Sequence, residues 1–230
     1  MAHRVLRLGS CGDDRGRTHP GLVREDAAGD AELDRLRPVE PDPELRKKAK
    51  NIFCFLGEMG VHDGVDYLLR ALNHLRTTLK REDFYCVIMG RGDAVENLKQ
   101  LCSTLKLDDH VWFTGFVTDE ELLRYASTSD ICVDPDPSNS FNDRCSMTKM
   151  SEYMAFAKPI VAFDLPEHRV TAQQAALYAV ANDELDFARK LEQLMDSSEL
   201  RQSMGKLGRE RVETVLSWSH QSKFLIHAYE

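Results

Sequence analysis

The sequence predicts an α/β fold: a doubly wound parallel sheet closed by C-terminal helices. Three observations carry that expectation. From Asn51 onward, short apolar runs alternate with amphipathic stretches of about 10 to 16 residues. Strands separated by helices of that length pair in parallel, because parallel neighbours need a crossover connection, and such a sheet is covered on both faces. No segment repeats at a period of roughly 20 to 50 residues, so a solenoid or propeller is excluded.

The elements follow in order. "NIFCFLG" (51–57) reads as a strand, and "GVDYLLRALNHLRTTL" (64–79) places Val65, Leu68, Leu69, Leu72, Leu75 and Leu79 at a helical period. "FYCVIMG" (84–90) and "HVWFTGF" (110–116) are strands flanking the helix "AVENLKQLCSTLKL" (94–107). "TDEELLRYAST" (118–128) is a helix capped by Thr118 with acids in its first turn, and "DICVDPD" (130–136) is a strand. A helix around 146–157 and the strand "KPIVAFD" (158–164) come next. A short segment ending in "AALYAV" leads to helices from about residue 183 to the end.

Upstream, the first 52 residues contain no Phe, Tyr or Trp, and residues 1–30 hold five of the thirteen glycines amid Asp and Arg. Such a segment buries too little apolar surface to offset its ordering entropy, so residues 1–30 are expected to be disordered. Residues 31–50 read as a linker, with three prolines favouring an extended path into a charged helical turn, and residues 51–230 as the folded domain. The chain has 230 residues, 42% of them hydrophobic, enough for one full core and short for two.

The formal charge of −8, with no Lys/Arg block, argues against nucleic acid or an anionic membrane as the main partner and favours small molecules. Six cysteines occur singly, with no C-x-x-C pair, as expected of free thiols in a reducing cytosol. No apolar stretch approaches the roughly 18 residues of a membrane span, and the first residues lack the apolar run of a signal peptide. The expectation is a soluble, cytoplasmic chain.

In an open parallel sheet, ligands bind at the carboxyl ends of the strands, where helix N-termini also point. The segments that follow the strands are therefore the candidates. Gly57-Glu58-Met59-Gly60 could bring backbone amides to a phosphate or could be a plain tight turn, and its spacing matches neither G-x-G-x-x-G nor a P-loop. Arg91, between Gly90 and Gly92, reads either as a nucleotide contact or as a solvated turn residue. The longest irregular segment, 134–149, ends at Ser146, a candidate N-cap. Ser146, Met147 and Thr148 would then present free N–H groups to an anion, with Lys149 as an added donor. Glu152 lies too far along that helix to be its capping acid. It is either a solvated surface charge or an acceptor for a pair of sugar hydroxyls. Asp134-Pro135-Asp136 has the form of an Asp-x-Asp metal motif, but two carboxylates alone are a poor magnesium site. The eight histidines show no ligand spacing. Asp134 and Asp136 are expected to be turn residues, and no metal is expected.

Taken together, "FCFLGEMGVHDGVDYLLRAL", "CVIMGRGDAVENLKQLCSTLKLDDHVWFTGFVTDEELLRYASTSDICVDP" and "SEYMAFAKPIVAFDL" resemble, in order and spacing, the C-terminal domain of retaining GT-B glycosyltransferases, the glycogen-synthase-like group 1 family. The resemblance runs from about residue 51 to 230 and implies the Rossmann-like half of a GT-B fold. It implies a UDP- or other NDP-sugar as substrate, with no separate cofactor. The family's "E-A-M-A" string corresponds to Glu152-Tyr153-Met154-Ala155, which makes Glu152 the ligand of the ribose hydroxyls. The "F-x-G-x-V" loop that passes the base falls on Phe113, Gly115 and Val117, and the diphosphate amides on Ser146, Met147 and Thr148.

Three departures from the family pattern stand out. Glu58 and Asp63 occupy the positions of the two cations that clamp the diphosphate, so Lys149, His62 and Arg91 substitute for them or binding is weak. Arg144 stands where the first glutamate of E-x7-E belongs. The acceptor-binding domain has no counterpart before residue 51, so the chain is expected to begin near the domain junction and to be weakly active or inactive alone. The alternative is a noncatalytic module that binds a partner chain or self-associates through its C-terminal helices. An acceptor held at a membrane surface is compatible with the family. Amide exchange tests the first of these expectations: residues 1–30 should exchange without protection, and strong protection there refutes it.

Overall fold

The computed structural model describes residues 36–217, 220–222 and 227. The expected disorder of residues 1–30 lies outside them, as does most of the C-terminal stretch expected to mediate self-association. Six strands, β1 (Asn51–Leu56), β2 (Phe84–Met89), β3 (Val111–Gly115), β4 (Ile131–Asp134), β5 (Ile160–Phe163) and β6 (Ala176–Ala179), form one sheet in the order β3-β2-β1-β4-β5-β6. Every pairing is parallel. This is a doubly wound sheet whose strand order reverses between β1 and β4. The "AALYAV" segment supplies β6, whose hydrogen-bonding partner is β5.

Eight helices flank the sheet among the described residues: α1 (Pro43–Arg46), α2 (Val65–Thr77), α3 (Val95–Thr104), α4 (Asp119–Thr128), α5 (Thr148–Ala155), α6 (Pro166–Ala172), α7 (Glu184–Asp196) and α8 (Ser198–Arg211). Alternation along β1 divides the core. Phe53 and Phe55 face one layer with Leu68, Leu72, Leu98, Phe187 and Leu191 of α2, α3 and α7. Ile52, Cys54 and Leu56 face the other, with Met150, Tyr153 and Met154 of α5. Strands buried on both faces explain why the runs are continuously apolar. Four cysteines, Cys54, Cys86, Cys102 and Cys132, are buried and free, and Cys145 is partly exposed and free.

The local signals behave as their chemistry dictates. Thr118 caps α4 through a reciprocal box in which its hydroxyl accepts from the Glu121 N–H and the Glu121 carboxylate accepts from the Thr118 N–H at 2.8 Å. The lead-in segment is pinned alongside α4. The Val39 N–H donates to Ser127 Oγ, the Asp42 N–H donates to Thr128 Oγ1, and the Asp42 carboxylate pairs with Arg124 at 2.6 Å.

At the carboxyl end of the sheet the loops lock backbone to backbone. The loop after β1 donates from the Gly57 N–H to Met89 O and from the Met59 N–H to Arg91 O, and the Gly90 N–H donates to Gly115 O. Gly90 has φ +138°, and a Cβ there would sit 1.8 Å from the Gly57 carbonyl oxygen. Gly64, at φ +63°, lies against the Pro135 carbonyl, 2.0 Å from where its Cβ would be. Gly90→Ala should therefore cost at least about 1 kcal/mol of unfolding free energy, because both the conformation and the space belong to glycine. Urea denaturation measures it, and an unchanged midpoint would refute this account of the loop.

Candidate functional site

The crevice opens where β1 and β4 diverge. Chain leaving β1 reaches α2 on one face, and chain leaving β4 reaches α5 on the other. Tyr153 holds the two strand ends together at its floor. Its hydroxyl oxygen accepts the Leu56 N–H at 2.9 Å, and the hydroxyl donates to Val133 O at 3.2 Å. Asn142 ties the loops above, donating from Nδ2 to His62 O at 2.9 Å and to Pro137 O at 2.8 Å.

Below those loops lies a buried charged group. Lys149 Nζ is 2.8 Å from Asp136 Oδ1 and 3.3 Å from Asp134 Oδ1, and His168 Nε2 is 3.6 Å from Asp134 Oδ2. His168 Nδ1 is bonded to Phe163 O at 2.9 Å, and the lysine ammonium also sits 5.1 Å above the Phe55 ring. Burial opposes the charge of Asp134, Asp136 and Lys149, with a different outcome for each. Burial pushes the Asp136 carboxyl up to about 8, reinforced by the charge of Asp134 beside it. In Asp134 burial is outweighed by Lys149 and His168, and its pKa falls below the usual range. Lys149 is likewise penalised by burial but held charged by the two carboxylates, and its pKa rises.

This arrangement corrects two expectations. Asp134 is not a turn residue but ends β4, and although Asp136 lies in the loop beyond, both acids are buried and paired with Lys149. Lys149 does not reach outward as an anion donor, because it shares the inward stripe of α5 with Met150, Tyr153 and Met154 and turns onto the acids beneath. Asp134, Asp136 and His168 could together offer three metal-ligand atoms within 4.8 Å of one another. The Lys149 ammonium already lies against the two carboxylates, so their charge is compensated without an ion.

The other predicted residues fall around the crevice. The N-cap of α5 is Met147 rather than Ser146, and it makes no side-chain cap bond. The Ser146 hydroxyl instead donates to the Glu167 carboxylate at 3.0 Å. Met147 and Thr148 thus stand at the uncapped start of the helix, whose first N–H groups have no intrahelical acceptor. Glu152 is half-buried one turn further on, about 6 Å along the axis. Gly57 spends its N–H on Met89 O. Phe113 packs on the core and Val117 on the opposite layer, and Gly115 accepts from Gly90. Arg91 lies 5.8 Å over the ring of Phe116, which is 65% exposed. Sequence reading missed Phe116, although an aromatic between the strand-end Gly115 and the capped Thr118 has no inward position to fill. It also missed the Lys149 group, whose signal was a lysine in register with the apolar stripe of α5.

Fold and crevice together define a Rossmann-like α/β domain of the kind found in GT-B glycosyltransferases. Residues 37–211 match the profile of the family described as glycosyl transferases group 1, and the chain belongs to that family. It is 27% identical over 186 residues to the putative glycosyltransferase EpsD of Bacillus subtilis, covering 76% of this chain and 46% of that protein. It is 31% identical over 86 residues to an uncharacterized glycosyltransferase of Methanocaldococcus jannaschii, covering 37% of this chain and 21% of that one. The chain thus spans about half or less of the length of these curated relatives.

Among solved structures, the C-terminal domain of a group 1 glycosyltransferase from Francisella tularensis superposes with a TM-score of 0.65 at 21% identity, over 81% of this chain and 98% of that one. Anabaena Alr3699/HepE, solved with UDP, superposes at 0.68 and 14% identity, over 86% of this chain and 55% of that one. At these identities the likeness is one of fold. No helix among the described residues is long and apolar enough to cross a membrane.

Two outcomes follow from the buried group. Between about pH 4 and 8 the folded protein keeps a proton on Asp136 that the unfolded chain releases, so stability should fall as pH rises through this window. Asp136→Asn should flatten that slope in denaturation measured from pH 5 to 9, and a wild-type slope equal to the variant's would refute it. Lys149→Ala strands the buried Asp134 carboxylate and should cost about 3–5 kcal/mol, read by the same denaturation.

Proposed function

We propose that this chain binds the nucleoside diphosphate of a sugar donor, a UDP- or other NDP-sugar, as the donor-binding half of a retaining GT-B glycosyltransferase. The observation that carries the reading is the start of α5. An uncapped helix N-terminus at Met147 and Thr148 opens at the switch point of the sheet, with Glu152 one turn further along. The helix end neutralises the diphosphate, and the Glu152 carboxylate accepts from the ribose hydroxyls. Arg91, beyond β2, and Phe116, beyond β3, offer a flat surface for the base on the rim. Family membership and the UDP found with a relative of the same fold support this reading. The buried free thiols fit a reducing cytosol.

Partner binding is favoured by a separate observation. Val61, Phe116 and Phe141 are exposed around the strand ends, at 85%, 65% and 44%. In the donor-binding reading this surface faces the acceptor-binding wall of the cleft.

Calorimetry with UDP, GDP and ADP tests the proposal, and failure to bind any of them overturns it. Glu152→Gln should lose roughly 1 to 2 kcal/mol of binding with the fold intact, because a neutral amide replaces a charge-assisted acceptor. Equal affinities would return Glu152 to a surface charge. EDTA should leave binding unchanged. A polypeptide of these 230 residues, incubated with labelled NDP-sugars and an acceptor panel, should show no useful turnover, since the chemistry needs donor and acceptor held in reacting geometry by two walls. Turnover by a verified monomer would refute this.

A further inference from the structure

Three of the four backbone amides in the Gly57–Gly60 turn have acceptors. Those of Gly57 and Met59 donate to the carbonyls of Met89 and Arg91 and belong to the lock between the β1 and β2 loops. Gly60 differs, because its N–H donates to a side chain, Asp63 Oδ2, at 2.8 Å. The contact is close enough that a Cβ on Gly60 would lie 3.1 Å from the same oxygen. The Asp63 N–H returns to Gly60 O at 3.4 Å, so the turn closes around its own anion. It does so at a strand end beside the switch point, where a ligand anion would be received. The charge of Asp63 is also felt by the buried group beneath, where it raises the pKa of Asp136 and of Lys149.

We propose that Asp63 is a specificity-determining residue: its carboxylate occupies the Gly60 amide as an internal anion, and a ligand phosphate gains that amide only by displacing it. The proposal rests on the nucleoside diphosphate reading. A carboxylate and a phosphate oxygen compete for one N–H and repel each other when both are close to it. Diphosphate ligands therefore bind less tightly than an open glycine turn would allow, while a ligand without phosphates is unaffected. A carboxylate that merely braces the turn predicts the opposite sign, since removing a brace loosens the loop and weakens every ligand.

The test compares wild type, Asp63→Asn and Asp63→Ala by calorimetry with UDP, GDP and ADP and with the matching free nucleosides, after thermal denaturation has verified the fold. Asp63→Asn keeps an oxygen acceptor and the side-chain shape but removes the charge. It should bind the preferred nucleoside diphosphate about fivefold tighter, the difference between a charge-assisted and a neutral competing bond. Nucleoside affinity should be unchanged. Asp63→Ala should bind at least as tightly as Asp63→Asn, and if it does not fold, Asp63→Asn decides alone. Diphosphate binding by Asp63→Asn that equals or falls below wild type overturns the role of Asp63 and leaves the nucleotide reading standing. An equal gain for the nucleoside also overturns that role. Binding by none of the three proteins overturns both proposals.

Discussion

A lysine ammonium held out of water must be met by carboxylates, and the strand-end region depends on that requirement at Lys149. Asp134 brings the end of β4 to it, Asp136 brings the loop beyond, and Lys149 itself brings the first turn of α5. Removing Asp134 or Lys149 leaves the other as an uncompensated buried charge, which costs more than the intact pair contributes. The proton retained on Asp136 completes the balance, because Asp134 and Lys149 then cancel. The position of the α5 N-terminus, and of Glu152 one turn along, follows from this buried group.

The sheet supplies the second constraint. Its strand order reverses between β1 and β4, and the gap created there is bridged at the bottom by the Tyr153 hydroxyl and roofed by loops that Asn142 joins. A residue of α5 thus sets the spacing of the two strands, while the next turn back sets the charge beneath them. The helix N-terminus and Glu152, carried on the same helix, inherit both restraints.

Elements governed by local chemistry were legible in the sequence. The strands show as continuous apolar runs because both faces of a parallel sheet are buried, and the start of α4 shows because Thr118 and Glu121 satisfy each other within one turn. What depended on distant partners was not legible. Ser146 has the chemistry of a cap, yet its hydroxyl turns to Glu167, 21 residues on, and the helix begins one residue later. Lys149 reads as an added anion donor at the helix start until Asp134 and Asp136 are placed under it by the sheet. The role proposed for Glu152 comes from its family string, since spacing alone leaves a half-buried carboxylate open to either role. The glycine turn after β1 was rightly located as a strand-end loop, but the engagement of its amides by Met89, Arg91 and Asp63 follows from tertiary closeness.

Proteins usually absorb changes in length in their surface loops. Here the carboxyl end of the sheet has given up that freedom, because Gly90 lies against the Gly57 carbonyl, Gly64 against that of Pro135, and Asn142 spans two loops at once. One inserted residue would unseat several neighbours together. The turns at the amino end are built differently: 78–83 and 105–110 reverse through single left-handed residues, Lys80 at φ 58° and Lys106 at φ 56°. Descendants of this chain would therefore diversify unevenly, with the candidate site varying in the identity of its side chains at fixed length and the far end of the sheet varying in length at fixed role.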